Sequence, residues 1–236
     1  MILVAEDTFN RASSSSSLGT ADFGGAWSVP MPSPGDSPWG IDSHKAYCVS
    51  PSTATFYGIS GVPKNIAVVG STASPHIVQA EATLSTTSPN VGLVAKFVDD
   101  NNYLVFVIHN TTFSGSAVFA CVGGGYYVLA SPTLTVTKGA TYTLGLTVGS
   151  TYTATVNSTV VASGSLSPTI IAGLSGPSKA GLYLGSGLFE GRNPNDPGDS
   201  RFDNFVFGIP DPDGGVNRVS VGMILAGRRP APSPAS

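Results

Sequence analysis

Apolar and polar residues alternate with a period of two along most of this chain, in runs bounded by Gly, Pro, Asn and Ser. That is the pattern of half-buried strands, whose successive side chains point to opposite faces of a sheet. The clearest runs are His76–Thr86, Val91–Val98, Tyr103–Asn110, Ser116–Val122, Thr141–Val148, Tyr152–Asn157 and Ala180–Leu184. Asp99-Asp100-Asn101-Asn102 separates two of them, and these residue types tolerate left-handed geometry and bond their own backbone, so a hairpin is predicted there. Gly149-Ser150 joins a second pair in the same way, and Gly123-Gly124-Gly125 reads as a turn. No ten-residue stretch carries a helical stripe, so helix should be scarce.

Three stretches depart from this pattern. Ser13–Ser17 is a serine run expected in a surface loop. Pro30–Pro38 is too rich in proline to donate regularly to a ladder and reads as an exposed loop. After Phe207 the chain turns to a linker composition, Gly208-Ile209-Pro210-Asp211-Pro212-Asp213-Gly214-Gly215. A short apolar patch, Val219–Ala226, and the basic pair Arg228-Arg229 follow. Residues 1–208 are therefore expected to form one domain, with residues 209–236 as a linker and extended C-terminal arm.

Composition narrows the class. Charged residues are 11% of the 236, against about 25% in typical domains, which rules out a coiled coil. A hydrophobic share of 41% is enough to build a core and argues against disorder throughout. Eleven Lys and Arg and a net charge of −3 provide no basic surface for nucleic acid. No apolar run is long enough to span a bilayer. Met1–Asp7 lacks the basic, long apolar start of a signal peptide, so either a leader was removed upstream or export follows another route, such as release from a lysed cell. Cys48 and Cys121 lie in apolar runs and are expected as buried free thiols.

Spaced motifs carry a resemblance. Asp7-Thr8-Phe9-Asn10-Arg11, Leu18-Gly19, Trp27 and Trp39-Gly40-Ile41 are followed by Gly92-Leu93-Val94-Ala95-Lys96-Phe97-Val98-Asp99 with Asn102-Tyr103, and finally by Arg201-Phe202-Asp203-Asn204-Phe205-Val206-Phe207. Over about residues 5–208 this resembles concanavalin A-like (laminin G-like) jelly-roll domains, and the opening is similar to that of minor tail proteins of bacteriophages infecting actinobacteria. The resemblance implies an all-β, two-sheet antiparallel jelly-roll sandwich, with the first strand (near Leu3–Phe9) beside the last (near Arg201–Phe207). It implies a virion structural protein in a tail, present in many copies and engaging host-surface glycan. The alternative is a free bacterial carbohydrate-binding module or lectin, which would be extracellular. The apolar patch of the arm, residues 209–236, is expected to join other tail proteins by adding to a neighbour's sheet edge; the other possibility is that it folds back onto its own sandwich as an edge strand. Trp27 and Trp39 are expected as core or rim anchors.

Catalytic chemistry is harder to place. Glycosidases that retain configuration need two carboxylates flanking the scissile bond, yet none of Glu6, Glu81 and Glu190 has an acidic neighbour at alternate strand positions. There is no nucleophile elbow and no zinc helix, and His44, His76 and His109 are far apart, so an enzyme is not expected. Glycan contacts are instead expected from polar strand residues. Gln79 and Glu81 share one face of their strand, Lys96 opposes Leu93, Ala95 and Phe97, and Tyr103 and His109 alternate against Leu104, Phe106 and Ile108. Placed together on a concave sheet, Gln79, Glu81, Lys96, Tyr103 and His109 suit sugar hydroxyls and the apolar face of a pyranose. The same pattern also describes a plain solvated sheet face with a Glu81–Lys96 cross-strand ion pair. Many domains of the resembled fold hold a structural Ca²⁺ where the terminal strands meet. By position Glu6, Asp7 and Asp203 match that ligand set, and oxygen ligands of this kind suit the ion. Asp203 bonding to backbone amides is the competing explanation.

Overall fold

Period-two alternation becomes two antiparallel sheets packed face to face. The computed structural model describes residues 1–30, 39–48, 65–73, 75–84, 91–108, 116–184 and 200–211. In chain order the strands are β1 (Ile2–Asp7), β2 (Trp39–Asp42), β3 (Lys45–Cys48), β4 (Asn65–Thr72), β5 (His76–Thr83), β6 (Val91–Asp99), β7 (Asn102–Ile108), β8 (Ala117–Val122), β9 (Gly125–Ala130), β10 (Thr141–Val148), β11 (Thr151–Val156), β12 (Thr159–Ser165), β13 (Ser178–Leu184) and β14 (Arg201–Ile209). A six-residue helix, α1 (Pro168–Gly173), precedes β13, with Ser167 as its N-cap and Pro168 in its first turn.

One sheet has eight strands in the order β12-β11-β10-β5-β14-β3-β2, with β1 also on β14; the other has six in the order β4-β13-β6-β7-β8-β9. β14 is the hub of the larger sheet. One of its edges pairs with β5, while β3 (at Phe202) and β1 (from Phe205 to Ile209) take successive parts of the other. The first and last strands therefore lie side by side as expected, with Ile209, assigned by sequence to the arm, closing β14 opposite Ile2. Residues 212–236, which hold the rest of that arm, lie outside the described residues, as do 31–38 of the Pro-rich loop.

Alternate residues from both sheets meet in a single core. Val78, Ala80 and Ala82 of β5, Leu144, Leu146 and Val148 of β10, and Phe202, Phe205 and Phe207 of β14 face Leu93 and Ala95 of β6, Leu104 and Phe106 of β7, and Leu182 of β13. The six-stranded sheet is also apolar on its other face, where Ile66, Val68, Val94, Val105, Phe119 and Tyr183 form a second buried cluster. Trp39 is fully buried against Phe202, and the half-buried Trp27 packs on Phe9 and Phe205. Cys48 and Cys121 are buried thiols with no disulfide between them.

The expected strands are present, and Thr141–Val148 has the expected bounds. Five more strands, β2, β3, β4, β9 and β12, went unread. β4 is buried on both faces over its first five residues, so it shows no alternation. β12 is an outer strand following a two-residue turn, Asn157-Ser158, in which both φ angles are positive.

Candidate functional site

The polar outer face is that of the eight-stranded sheet. Residues directly opposite one another on neighbouring strands share a face, with Cβ atoms about 4.5–5.5 Å apart. The ladder pairs thus set out three cross-sheet rows. Thr141, Thr83 and Arg201 form the first; Thr143, Glu81 and Asp203 the second; Gly145, Gln79, Val206 and Glu6 the third. The Thr83 and Thr141 hydroxyls bond at 2.8 Å. At the margin, Arg201 donates to Asp42 at 3.0 Å and its guanidinium lies 4.7 Å from the centre of the Tyr47 ring. A β-bulge follows Asp203, with Asn204 at φ +50°, and the Asn204 N–H donates to the Asp203 carboxylate at 2.8 Å. Burial pushes the Asp203 carboxyl up; the Asn204 N–H and Lys45 oppose this, and the negative charges of Glu81 and Asp7 add to it. The tract therefore offers hydroxyls, an amide and carboxylates at strand spacing.

The three residues matched to a Ca²⁺ site do not converge. Glu6 and Asp203 belong to the outer face, whereas Asp7, the next residue on β1, points inward beside Phe205. Asp7 is fully buried and its two oxygens are already engaged. They accept both terminal nitrogens of Arg11 at 2.7 Å, the Phe9 N–H at 2.7 Å and the Trp27 indole N–H at 2.6 Å. Arg11 also donates to the Leu18 carbonyl. The guanidinium stands where a cation would be needed, so this donor set does not fit Ca²⁺. Among the described residues no group of three or more His, Cys, Asp or Glu side chains is placed to hold a metal ion.

The five residues expected to line one concave face are divided. Gln79 and Glu81 are on β5 in the eight-stranded sheet; Lys96 and Tyr103 are on β6 and β7 in the six-stranded sheet. Glu81 and Lys96 are therefore not cross-strand neighbours, which corrects the expected ion pair. Tyr103 is 1% exposed, within the second apolar cluster. Its hydroxyl lies 3.1 Å from that of Tyr126, and burial first, then this bond, raises its pKa. A buried ring of this kind supports packing, not a sugar contact. Lys96 occupies a bulge in β6 with φ +53°, which breaks the alternation and sends Phe97 instead to the outer cluster. His109 lies outside the described residues.

Sequence reading also missed Thr143, Arg201, Asp42 and Tyr47. No local signal marks them, because their meeting depends on β14 returning between β5 and β3. The same return places Asp203 opposite Glu81. It makes a carboxylate pair across two strands where no pair exists along one.

No family model and no curated protein matches this sequence. Solved structures do match the fold. A carbohydrate-binding module, CBM66 from Bacillus subtilis, is 12% identical with a TM-score of 0.56, the match covering 77% of this chain and 94% of that one. Domain 4 of AbnA, a GH43 extracellular arabinanase from Geobacillus stearothermophilus, in complex with arabinotriose, is 15% identical with a TM-score of 0.51, covering 87% and 91%. A mutant of the GH43 protein BlXynB from Bacillus licheniformis gives 14% identity and a TM-score of 0.59, covering 87% of this chain but only 39% of that one. At these identities the likeness establishes the jelly-roll sandwich, and function must be argued from the site.

Proposed function

We propose that this chain is a non-catalytic carbohydrate-binding module of the extracellular space, and that the outer face of its eight-stranded sheet receives the glycan. The observation that carries this reading is the row of Thr143, Glu81 and Asp203 flanked by Gln79. These are acceptors and donors at strand spacing on a regular surface, suited to successive sugar hydroxyls. The module-sized structures CBM66 and Domain 4 of AbnA support it, since each is matched over nearly its whole length. A shallow polar face excludes little water, so one copy binds weakly and useful attachment comes from several copies on one support. Glu81→Ala and Gln79→Ala are expected to abolish retention on polysaccharide in affinity electrophoresis while melting stays within a few degrees of the parent. Retention equal to the parent in both variants would place the glycan elsewhere.

The second reading is a module of a bacteriophage tail, anchored through residues 212–236. It is favoured by the likeness of the opening Asp7–Arg11 segment to that of minor tail proteins. It is also favoured by the apolar residues Val219–Ala226, a length suited to adding to a neighbour's sheet edge. Truncation after Asp211 should then leave the melting temperature unchanged and abolish incorporation into particles. Normal incorporation of the truncated chain would remove this reading and leave the first.

A further inference from the structure

A cleft of about 260 Å³ opens at one end of the sandwich, where the β4–β5 connection, the β10–β11 turn and α1 meet. Its walls are Pro75, Val148, Leu166, Ile171 and Leu174; its rim carries Ser150 and Ser175; and Lys96 is the charged group among its described lining residues. The placement of that lysine is built. At φ +53° it holds a backbone conformation that side chains other than glycine and asparagine rarely adopt. The Lys96 N–H donates to Nδ1 of His76 at 3.1 Å, so Nε2 carries the ring proton and donates to the Ser178 hydroxyl at 3.2 Å; that hydroxyl donates to the Thr72 carbonyl at 3.3 Å. His76 is fully buried and packs on Phe207. This buried relay fixes the strained turn that directs Lys96 away from the sheet face. The ammonium donates to the Ala73 carbonyl at 3.3 Å, and the residue is only 8% exposed. Strain held by its surroundings in a cleft points to binding.

We propose that this cleft binds one carboxylated sugar ring, such as a hexuronate, with Lys96 taking the carboxylate. The size fits a single ring, since it falls just below the roughly 300 Å³ at which drug-sized pockets begin. A single lysine as the one cation among the described lining residues matches a monoanion better than a phosphate, which is usually held by several donors. The apolar wall of Leu166, Ile171 and Leu174 suits the C–H face of a pyranose. Ser175 donates to the Ala172 carbonyl at 2.7 Å, which leaves its oxygen free to accept from a sugar hydroxyl. Desolvation lowers the Lys96 pKa, and a bound carboxylate would offset that burial. The cleft is separate from the Gln79–Glu81 face, and the proposal does not depend on binding there.

Titration of the full chain with methyl glucuronide, followed by calorimetry, tests it. Saturable binding is expected, with methyl glucoside and hexanoate each weaker by at least about tenfold, the factor that one hydrogen bond to a charged group supplies. Lys96→Met should lose the binding. Ile171→Glu, a change at a lip residue that is 42% exposed, should also lose it by charge repulsion without altering the melt, and it decides the matter if Lys96→Met fails to fold. Glu81→Ala should bind glucuronide as the parent does, so failure of the sheet-face reading and failure of this one remain distinguishable. No saturable glucuronide binding, equal binding of glucoside or hexanoate, or undiminished binding by Ile171→Glu would overturn the proposal.

Discussion

Replacing Arg11 with alanine is expected to remove about 3 kcal/mol of stability, the lower part of the range for stripping one partner from a buried ion pair. Asp7 is fully inside and Arg11 about one-quarter exposed, so truncating the arginine leaves a buried carboxylate with only the Phe9 and Trp27 donors. Against the 5–15 kcal/mol typical of a domain, a loss of about 3 kcal/mol is large. Urea denaturation at pH 7 would measure it. Arg11→Lys should fall between parent and alanine variant, because an ammonium cannot make the two parallel bonds of the guanidinium fork. Millimolar Ca²⁺ should leave the parent's melting temperature unchanged. A melt of Arg11→Ala like the parent's, or a rise of several degrees with Ca²⁺, would contradict the role given to this pair.

Acid should unfold the protein largely through His76. Burial first, and the Lys96 charge second, push the His76 pKa down to about 3, from an ordinary 6.5. The unfolded chain therefore binds this proton more readily than the native one, and stability must fall as pH drops. The contribution is complete above pH 6.5 and is lost progressively down to about pH 3. At about 1.4 kcal/mol per unit this amounts to roughly 5 kcal/mol in all. Stability measured in urea at pH 7, 5 and 4 should show that decline, and His76→Gln should flatten it at the expense of stability at pH 7. An acid limb equally steep in His76→Gln would assign the effect to other groups.

The strand content of the molecule could be read from its sequence because most strands have one face in the core and one elsewhere. Val78, Ala80 and Ala82 alternating with Ile77, Gln79 and Glu81 report that arrangement directly. β4 could not be read this way, since Ile66 and Val68 are buried on one face and Ala67 and Val69 on the other. α1 was equally hidden, because six residues are less than two turns and carry no periodicity. The candidate site was harder. Period-two counting puts Lys96 on a face with Val94, but a single left-handed residue breaks the count and redirects its side chain to the end of the sandwich. Similarly, Tyr103 reads as polar by residue type while its surroundings are apolar on both sides of the sheet. Sheet membership was the decisive missing quantity: β5 alternates polar with apolar residues while β6 is apolar on both faces, but which strands each one joins is set by long-range pairing. Charge complementarity was no better signposted. An aspartate four residues before an arginine is common, and only the burial of Asp7 makes Asp7–Arg11 a structural brace.

The pairing of Ile2 with Ile209 gives the domain a mechanical character. Its two ends leave from adjacent points at the same end of an antiparallel ladder whose hydrogen bonds run perpendicular to the strands. Tension applied between those points loads the rungs one after another, as a zipper opens, instead of shearing them together. A domain held at both ends would thus peel β1 away from β14 at low force. An attachment on the far side of Ile209 alone would carry no load through β1, and a pull on a captured glycan would reach that attachment through β14 and the strand beside it, β5.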